Sequence, residues 1–294
     1  MISFNCLVDE IETQICTSQV ENMPRLPNSP IVIIIYGSPG SGKTYIASKI
    51  AEELNLRLKN KLNISSDVTP GTLTPSQINI KYTQKSIHGV KGGELTNINL
   101  FKMKSNLERK STLANLLNPV VHVKMDGFHI PLKKLDDDLI RRRGSPETFD
   151  SDQVVRLIEL LTNNNGDWDW MSIPDFDHSV KDPTNPGTWI SSKSKVIIVE
   201  GLYLMLNKEP WLNIPKLISS KRAQNNKNIK VIKIYGGTVD DVALRVSKRH
   251  LEAGIVDTLD NGQKRYFEND YINAKLVESE SVKTLTDYTI DNSS

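Results

Sequence analysis

The residues best suited to chemistry are Gly37-Ser38-Pro39-Gly40-Ser41-Gly42-Lys43-Thr44, which fit G-x-x-x-x-G-K-[ST]. Glycines at these positions let successive backbone N–H groups turn inward around phosphate oxygens, where a Cβ would obstruct them. A helix opening at the end of such a loop adds unpaired N–H groups and about half a positive charge. In this pattern Lys43 reaches the β- and γ-phosphates and the hydroxyl of Thr44 ligates Mg²⁺. The expected ligand is a nucleoside triphosphate.

Two acidic residues follow buried-strand patterns. Asp126 lies in Met125-Asp126-Gly127-Phe128-His129, directly after the run Val120 to Met125. A carboxylate there can accept the proton of an attacking hydroxyl or hold Mg²⁺ through water; it can also simply cap a loop. Glu200 follows Val196-Ile197-Ile198-Val199, and its expected task is Mg²⁺, a hard cation that prefers carboxylate and phosphate oxygens. Gly201 follows it, so the Asp-Glu pair of mechanical ATPases is missing. No Asn-Lys-x-Asp guanine-reading signature occurs either. Motor and switch readings both lose ground.

Basic groups supply the complementary charge. Arg141-Arg142-Arg143-Gly144 is a solvated charge run, a targeting patch or an ordered clamp, since arginine's fork suits a carboxylate or phosphate. Arg245 and Arg249 stand four apart and project from one helix face. They could fold over a triphosphate and stabilise charge in the transition state, or decorate an exposed helix. His129, and His178 within Pro174-Asp175-Phe176-Asp177-His178, could contact an acceptor or satisfy local backbone groups. Nothing offers three or four ligands at zinc spacing. Trp168 and Trp170 read as packing residues.

These residues need elements to position them. Ile31 to Tyr36 is a β-branched apolar run that predicts a buried parallel strand entering the glycine loop, and Ile46, Ala47, Ile50 and Leu54 recur at helical spacing after it. Further strands are predicted at 120–125, 196–199, 230–235 and 288–290. Asp150-Ser151-Asp152-Gln153 looks like a helix cap, and Thr238-Val239-Asp240-Asp241 caps the helix that carries the paired arginines. Phe4, Leu7, Val8, Ile11 and Ile15 predict an opening amphipathic helix. A Pro-punctuated connector, 23–30, follows it. Strands alternating with helices predict an α/β fold: a mainly parallel sheet with helices on both faces, ligands gathering beyond the strands' carboxyl ends. The expected organisation is a single domain over 1–294. It is interrupted at 60–119 by a polar insertion holding eight Lys/Arg against three Asp/Glu, read as a solvated loop or a docking element.

The bulk numbers narrow the class. Lys and Arg total 37 against 35 Asp and Glu, which gives no general argument for nucleic-acid or membrane binding. Only Cys6 and Cys16 are present, which suits a reducing compartment. No apolar run approaches the ~20 residues that span a bilayer. The compartment expected is the cytoplasm, with the nucleus the other option.

Taken in order, the glycine loop, Met125–His129, Arg142-Arg143-Gly144-Ser145-Pro146-Glu147-Thr148-Phe149-Asp150, Pro174–His178, Val199-Glu200-Gly201-Leu202-Tyr203-Leu204 and Arg245–His250 form a series. It resembles the phosphoribulokinase/uridine kinase/bacterial pantothenate kinase group of P-loop kinases, and within it the fungal ATP-dependent kinase branch. Asn269-Asp270 through Asn273-Ala274 also looks like that branch. The likeness runs from Ile31 onward, outside the insertion; the Met125–His129 loop and the insertion differ from uridine kinases. It implies a three-layer P-loop fold with ATP as donor and Mg²⁺ as cofactor. Asp126 would be the base toward an acceptor hydroxyl, Lys43 and Thr44 would hold phosphate and metal, and Glu200 would complete the metal site. Arg245 and Arg249 would belong to a closing lid. His129, Arg142, Arg143, Asp175, His178 and Tyr203 would border the acceptor. The expected activity is phosphoryl transfer to a hydroxyl of a small metabolite, with neither nucleic acid nor membrane as partner. The alternatives are a P-loop ATPase, or a nucleotide-binding interaction protein that docks a protein partner on the basic insertion.

Overall fold

The computed structural model describes residues 1–17, 30–62, 81–104, 119–163 and 166–293. The connector at 18–29 and the insertion segments 63–80 and 105–118 lie outside the described residues. In chain order the strands are β1 (Ile31–Tyr36), β2 (Tyr82–Ile87), β3 (Ile98–Met103), β4 (Val120–Lys124), β5 (Trp170–Asp177), β6 (Asp182–Ser191), β7 (Val196–Gly201), β8 (Ile229–Tyr235) and β9 (Tyr288–Asp291). The helices are α1 (Phe4–Thr17), α2 (Lys43–Leu62), α3 (Asp137–Arg141), α4 (Ser151–Thr162), α5 (Asn213–Ala223), α6 (Val239–Glu252), α7 (Leu259–Arg265) and α8 (Tyr271–Glu280). A π-turn, Tyr266–Asp270, joins α7 to α8.

The main sheet is parallel throughout, in the order β4-β7-β1-β8-β9. All six residues of β1 are buried, as a central strand covered on both faces must be. Its side chains alternate between two cores. Val32, Ile34 and Tyr36 pack with Leu157, Ile158 and Leu161 of α4 and Ile214 and Ile218 of α5. Ile31, Ile33 and Ile35 pack with Leu7, Val8 and Ile11 of α1 and with Ile46, Ile50 and Leu54 of α2. The expected three-layer α/β architecture is thereby formed, with α1 and α2 sharing one face. Arg57 fastens that pair by bonding Asp9 at 2.6 Å, Glu12 at 3.0 Å and Glu53 at 2.6 Å.

A second, antiparallel sheet, β2-β3-β5-β6, extends beyond the sequence-based expectation. Two of its strands fall inside 60–119. Ile98, Leu100, Met171, Ile173 and Ile190 from this sheet join the same core as Val32 and Ile34. Trp168 and Trp170 are buried.

Asp150 and Gln153 hold residues 87–96 in place. The Asp150 carboxylate does not cap α4 as expected. Its Oδ2 instead accepts the backbone N–H groups of Lys91 (3.0 Å) and Gly92 (2.8 Å) and the hydroxyl of Thr96 (2.7 Å). Gln153 Nε2 donates to the carbonyls of Ile87 and Thr96. Asp150 is fully buried, so Asp150→Ala strands three donors and is expected to cost roughly 2–4 kcal/mol of stability. Urea unfolding at unchanged slope would register it; a loss below ~1 kcal/mol contradicts this account of the anchor.

Candidate active site

The parallel register aligns the strand ends that carry the chemistry. Ile35 pairs with Glu200 across β1 and β7, and Lys124 pairs with Glu200 across β4 and β7. The glycine loop leaves β1 at Gly37, and Asp126 stands two residues beyond Lys124, in the 3₁₀ turn Met125–Phe128. Three chain segments therefore open into one cleft at the carboxyl edge, where ligands collect in such sheets.

Backbone geometry explains the glycines. Gly40 and Gly42 have φ of +74° and +87°, conformations that L side chains resist. At Gly127 a Cβ would come within 2.3 Å of the Pro174 carbonyl oxygen. Only glycine lets the turn bearing Asp126 nest against β5.

Thr44 Oγ1 donates to Glu200 Oε1 at 2.9 Å. Glu200 is almost wholly buried. Burial pushes its pKa up to about 7, against the opposing pull of Lys43 and the Thr44 hydrogen bond, and Asp126 adds to the rise. Burial lowers the pKa of Lys43; Glu200 and Asp126 raise it again, while Arg249 lowers it. Glu200, Asp126 and Arg249 thus all sit within electrostatic reach of Lys43.

A carboxylate whose folded pKa lies above its unfolded value weakens the fold as pH rises. For Glu200 the penalty is absent below about 4.5 and complete above about 7. Glu200→Gln is expected to stabilise the nucleotide-free protein by on the order of 2–3 kcal/mol at pH 8, with the difference vanishing toward pH 4. Unfolding of both proteins across that range tests it; an equal difference at both ends contradicts the burial account.

Thr44 and Glu200 present two hard oxygen donors side by side, which suits Mg²⁺ when phosphate oxygens and water complete its octahedron. Among the described residues no group of three or more His, Cys, Asp or Glu could hold a metal by itself, so the donor set fits a metal that arrives with its nucleotide.

Behind the glycine loop, other elements brace its carbonyls. Ser38 Oγ donates to Glu278 Oε1 at 3.0 Å, and Lys233 holds the other oxygen of that carboxylate at 2.6 Å. Asn292 Nδ2 donates to the Ser41 carbonyl at 3.0 Å. Arg245 donates to the carbonyls of Gly40 (3.3 Å) and Asn292 (3.4 Å), and also to that of Gly236. Pro39 and Ser41 are buried. Arg245 and Arg249 share a helix face yet do different things: Arg245 ties down the loop's outer side, while Arg249 bears on Lys43.

The acceptor-side residues are only partly gathered. His129 is buried, its Nδ1 2.8 Å from the Asp126 carbonyl oxygen, its ring against Phe149 and Phe176. Arg143 Nη2 donates to Asp182 Oδ1 at 2.9 Å. The buried Tyr203 hydroxyl donates to the Gly144 carbonyl at 2.5 Å and so braces the arginine turn. Arg142 lies within reach of that phenol. Asp175 Oδ1 accepts the Phe176 N–H at 2.8 Å. His178 is exposed at the β5–β6 turn, edge-on to Phe176; the structure does not bring it to Asp126.

Sequence reasoning passed over His122. Its Nδ1 lies 3.3 Å from Ser48 Oγ and its Nε2 4.0 Å from Glu200 Oε1. Burial, with Lys124 nearby, holds its pKa down at about 4, so the ring is neutral beside the Thr44–Glu200 pair. A lone histidine within Val120–Lys124 was the available signal. Glu278 was passed over too, and Asp270 entered only through the likeness of 269–274, with no role; burial raises the carboxyl of Asp270 against the pull of His250 and Arg249.

A glycine loop between a central parallel strand and its helix, with acidic strand ends beside it, is the nucleotide-binding arrangement of P-loop proteins. The zeta toxin family profile matches residues 15–69, the stretch holding β1, the loop and α2. ATP-dependent kinase YFH7 of Lachancea thermotolerans is 30% identical over 84% of this chain and 88% of its own. Its counterpart in Candida glabrata is 29% identical over 87% and 91%. The crystal structure of YFH7 from Saccharomyces cerevisiae superposes with a TM-score of 0.73 at 24% identity, covering 99% of both chains. The chain belongs to the fungal ATP-dependent kinase YFH7 family. Among the described residues no helix is long and apolar enough to cross a membrane.

Proposed function

We propose that the protein transfers the γ-phosphoryl group of Mg-ATP to an alcohol hydroxyl of a small metabolite. One observation carries the reading: the loop lysine, the Thr44–Glu200 oxygen pair and Asp126 open from adjacent strand ends into one cleft. Lys43 and the loop N–H groups hold the β- and γ-phosphates. Thr44 and Glu200 hold Mg²⁺, which when bound neutralises charge on the phosphate oxygens. Asp126 takes the acceptor hydroxyl's proton as its oxygen bonds to the γ-phosphorus and the bond to the β–γ bridging oxygen breaks, releasing ADP. Arg249 offsets charge on the transferring group, and Arg245 keeps the loop carbonyls turned away from the phosphates. His129 shapes the acceptor side. The reading takes 1–294 as one kinase domain, with 60–119 an insertion into it, working in the cytoplasm, where Cys6 and Cys16 remain the free thiols they are here.

ADP release from Mg-ATP across a panel of sugars, nucleosides, hydroxy acids and vitamins tests the reading. Acceptor-dependent release that yields a phosphate monoester supports it. Release stimulated by a protein partner alone, with no phosphorylated product, favours an ATPase instead.

A further inference from the structure

Arg143 is a cation only partly used. Its side chain is 14% exposed and one nitrogen, Nη2, bonds Asp182. Its Nε and Nη1 are buried and have no hydrogen-bond partner among the described residues. The Phe176 ring lies 5.8 Å from the guanidinium carbon, near the ~6 Å limit of a cation–π contact. That ring restrains the group without satisfying its two unpaired nitrogens. Buried charged donors are rarely left unpaired unless a ligand completes them.

The turn that carries Arg143 is fixed from behind. Tyr203 and Asn273 donate to the Gly144 carbonyl at 2.5 and 3.4 Å, and Asn269 donates to the Arg143 carbonyl at 3.3 Å. The anchors come from the segments after β7 and around the π-turn, so the guanidinium is set before any ligand arrives. It is also near the reaction centre. His129, whose ring lies 4.9 Å from Phe176 and whose Nδ1 touches the Asp126 carbonyl, feels the charges of Asp126, Arg143 and Asp182 together.

Resting on the kinase reading, we infer that the acceptor is an anionic alcohol, a hydroxy acid or a phosphorylated polyol, whose carboxylate or phosphate is gripped by Arg143 along the guanidinium edge that Asp182 leaves open, while its hydroxyl faces Asp126. Nε and Nη1 lie on different edges of the guanidinium, each beside one N–H of Nη2, and the edge not taken by Asp182 presents two parallel N–H groups to two oxygens of one such anion. Both nitrogens are covered, so the anion enters between the arginine turn and Phe176 and takes the place of that cover. Neutral sugars and nucleosides lack the group that would pair with the fork. Such an unpaired fork discriminates strongly against them.

Calorimetric titration tests this on the full chain with a non-hydrolysable ATP analogue bound. The probes are glycerol, glyceric acid and glycerol phosphate, and the corresponding six-carbon polyol, sugar acid and sugar phosphate. At least one anionic member is expected to bind tenfold or more tighter than its neutral parent, and comparing acid with ester separates the two anions. Arg143→Gln should remove that advantage, and Arg143→Lys should keep part of it. Asp182→Asn keeps an oxygen acceptor for the Leu132 N–H, bonded at 2.9 Å, and for Nη2, but removes the competing negative charge; it should hold or tighten anion binding. Neutral parents binding as well as their anions, no anion binding, or equal affinity in Arg143→Gln would each overturn the inference. Anion binding that depends on Arg143 but is never followed by phosphoryl transfer would instead overturn the kinase reading and leave the anion site standing.

Discussion

Lys43→Ala is expected to abolish productive nucleotide handling, with turnover falling at least ~10³-fold and ATP affinity falling with it. Lys43 opens α2 at the end of the glycine loop, within the field of Glu200, Asp126 and Arg249. Its ammonium faces the charges of Glu200 and Asp126, and in the proposed mechanism it also meets the phosphates. Removing it leaves Glu200 buried beside Asp126 without its main counter-charge, which pushes Glu200 further toward its neutral form. On the proposed roles, one substitution removes the phosphate-holding nitrogen and neutralises the metal-holding carboxylate. Equilibrium binding of a fluorescent ATP analogue and steady-state turnover both report it. Normal binding together with normal turnover contradicts the phosphate-loop assignment.

Asp126→Asn is expected to behave differently. Turnover should fall by about 10²–10⁴ while ATP affinity stays within a few-fold, the pattern of a lost general base. Asparagine fits the same 3₁₀ turn, keeps a side-chain oxygen and leaves the backbone carbonyl that meets His129 in place. What it cannot do is take a proton. A loop-capping role predicts instead a modest loss of stability with turnover little changed. Measuring kcat and unfolding on the same preparation separates these outcomes.

The contrast between those variants follows features already legible in the residues. The β-branched run of β1, the glycine spacing and the apolar strand before Glu200 are local signals, and each fixes an element and its end. The antiparallel sheet was not legible for reasons that can be stated. Pro174, Pro183 and Pro186 stand within 170–191, and proline ordinarily argues against a strand. Pro174 sits where the β5–β6 register shifts between Ile173 and Asp175, and the other two lie on β6, an edge strand. Those are the places where a sheet tolerates a residue without an N–H. In β2 the central Thr83, Gln84 and Lys85 are exposed, so no hydrophobic period marks it. Within the site, braces between residues far apart in sequence could not be read. Nothing in Glu278 announces a bond to Ser38, and nothing in Asn292 announces one to Ser41. Helical spacing placed Arg245 and Arg249 on one face but could not say that one would reach backbone carbonyls.

The central claim is that the γ-phosphoryl group ends on a metabolite hydroxyl. The most direct measurement follows ATP labelled in its γ-phosphate, incubated with the protein and a small-molecule extract of a yeast cell, with Asp126→Asn alongside. The account predicts that label passes into an acid-stable organic phosphate monoester and that the variant slows this by the factor given above. Label appearing only as inorganic phosphate, at equal rates with and without the extract, would contradict it.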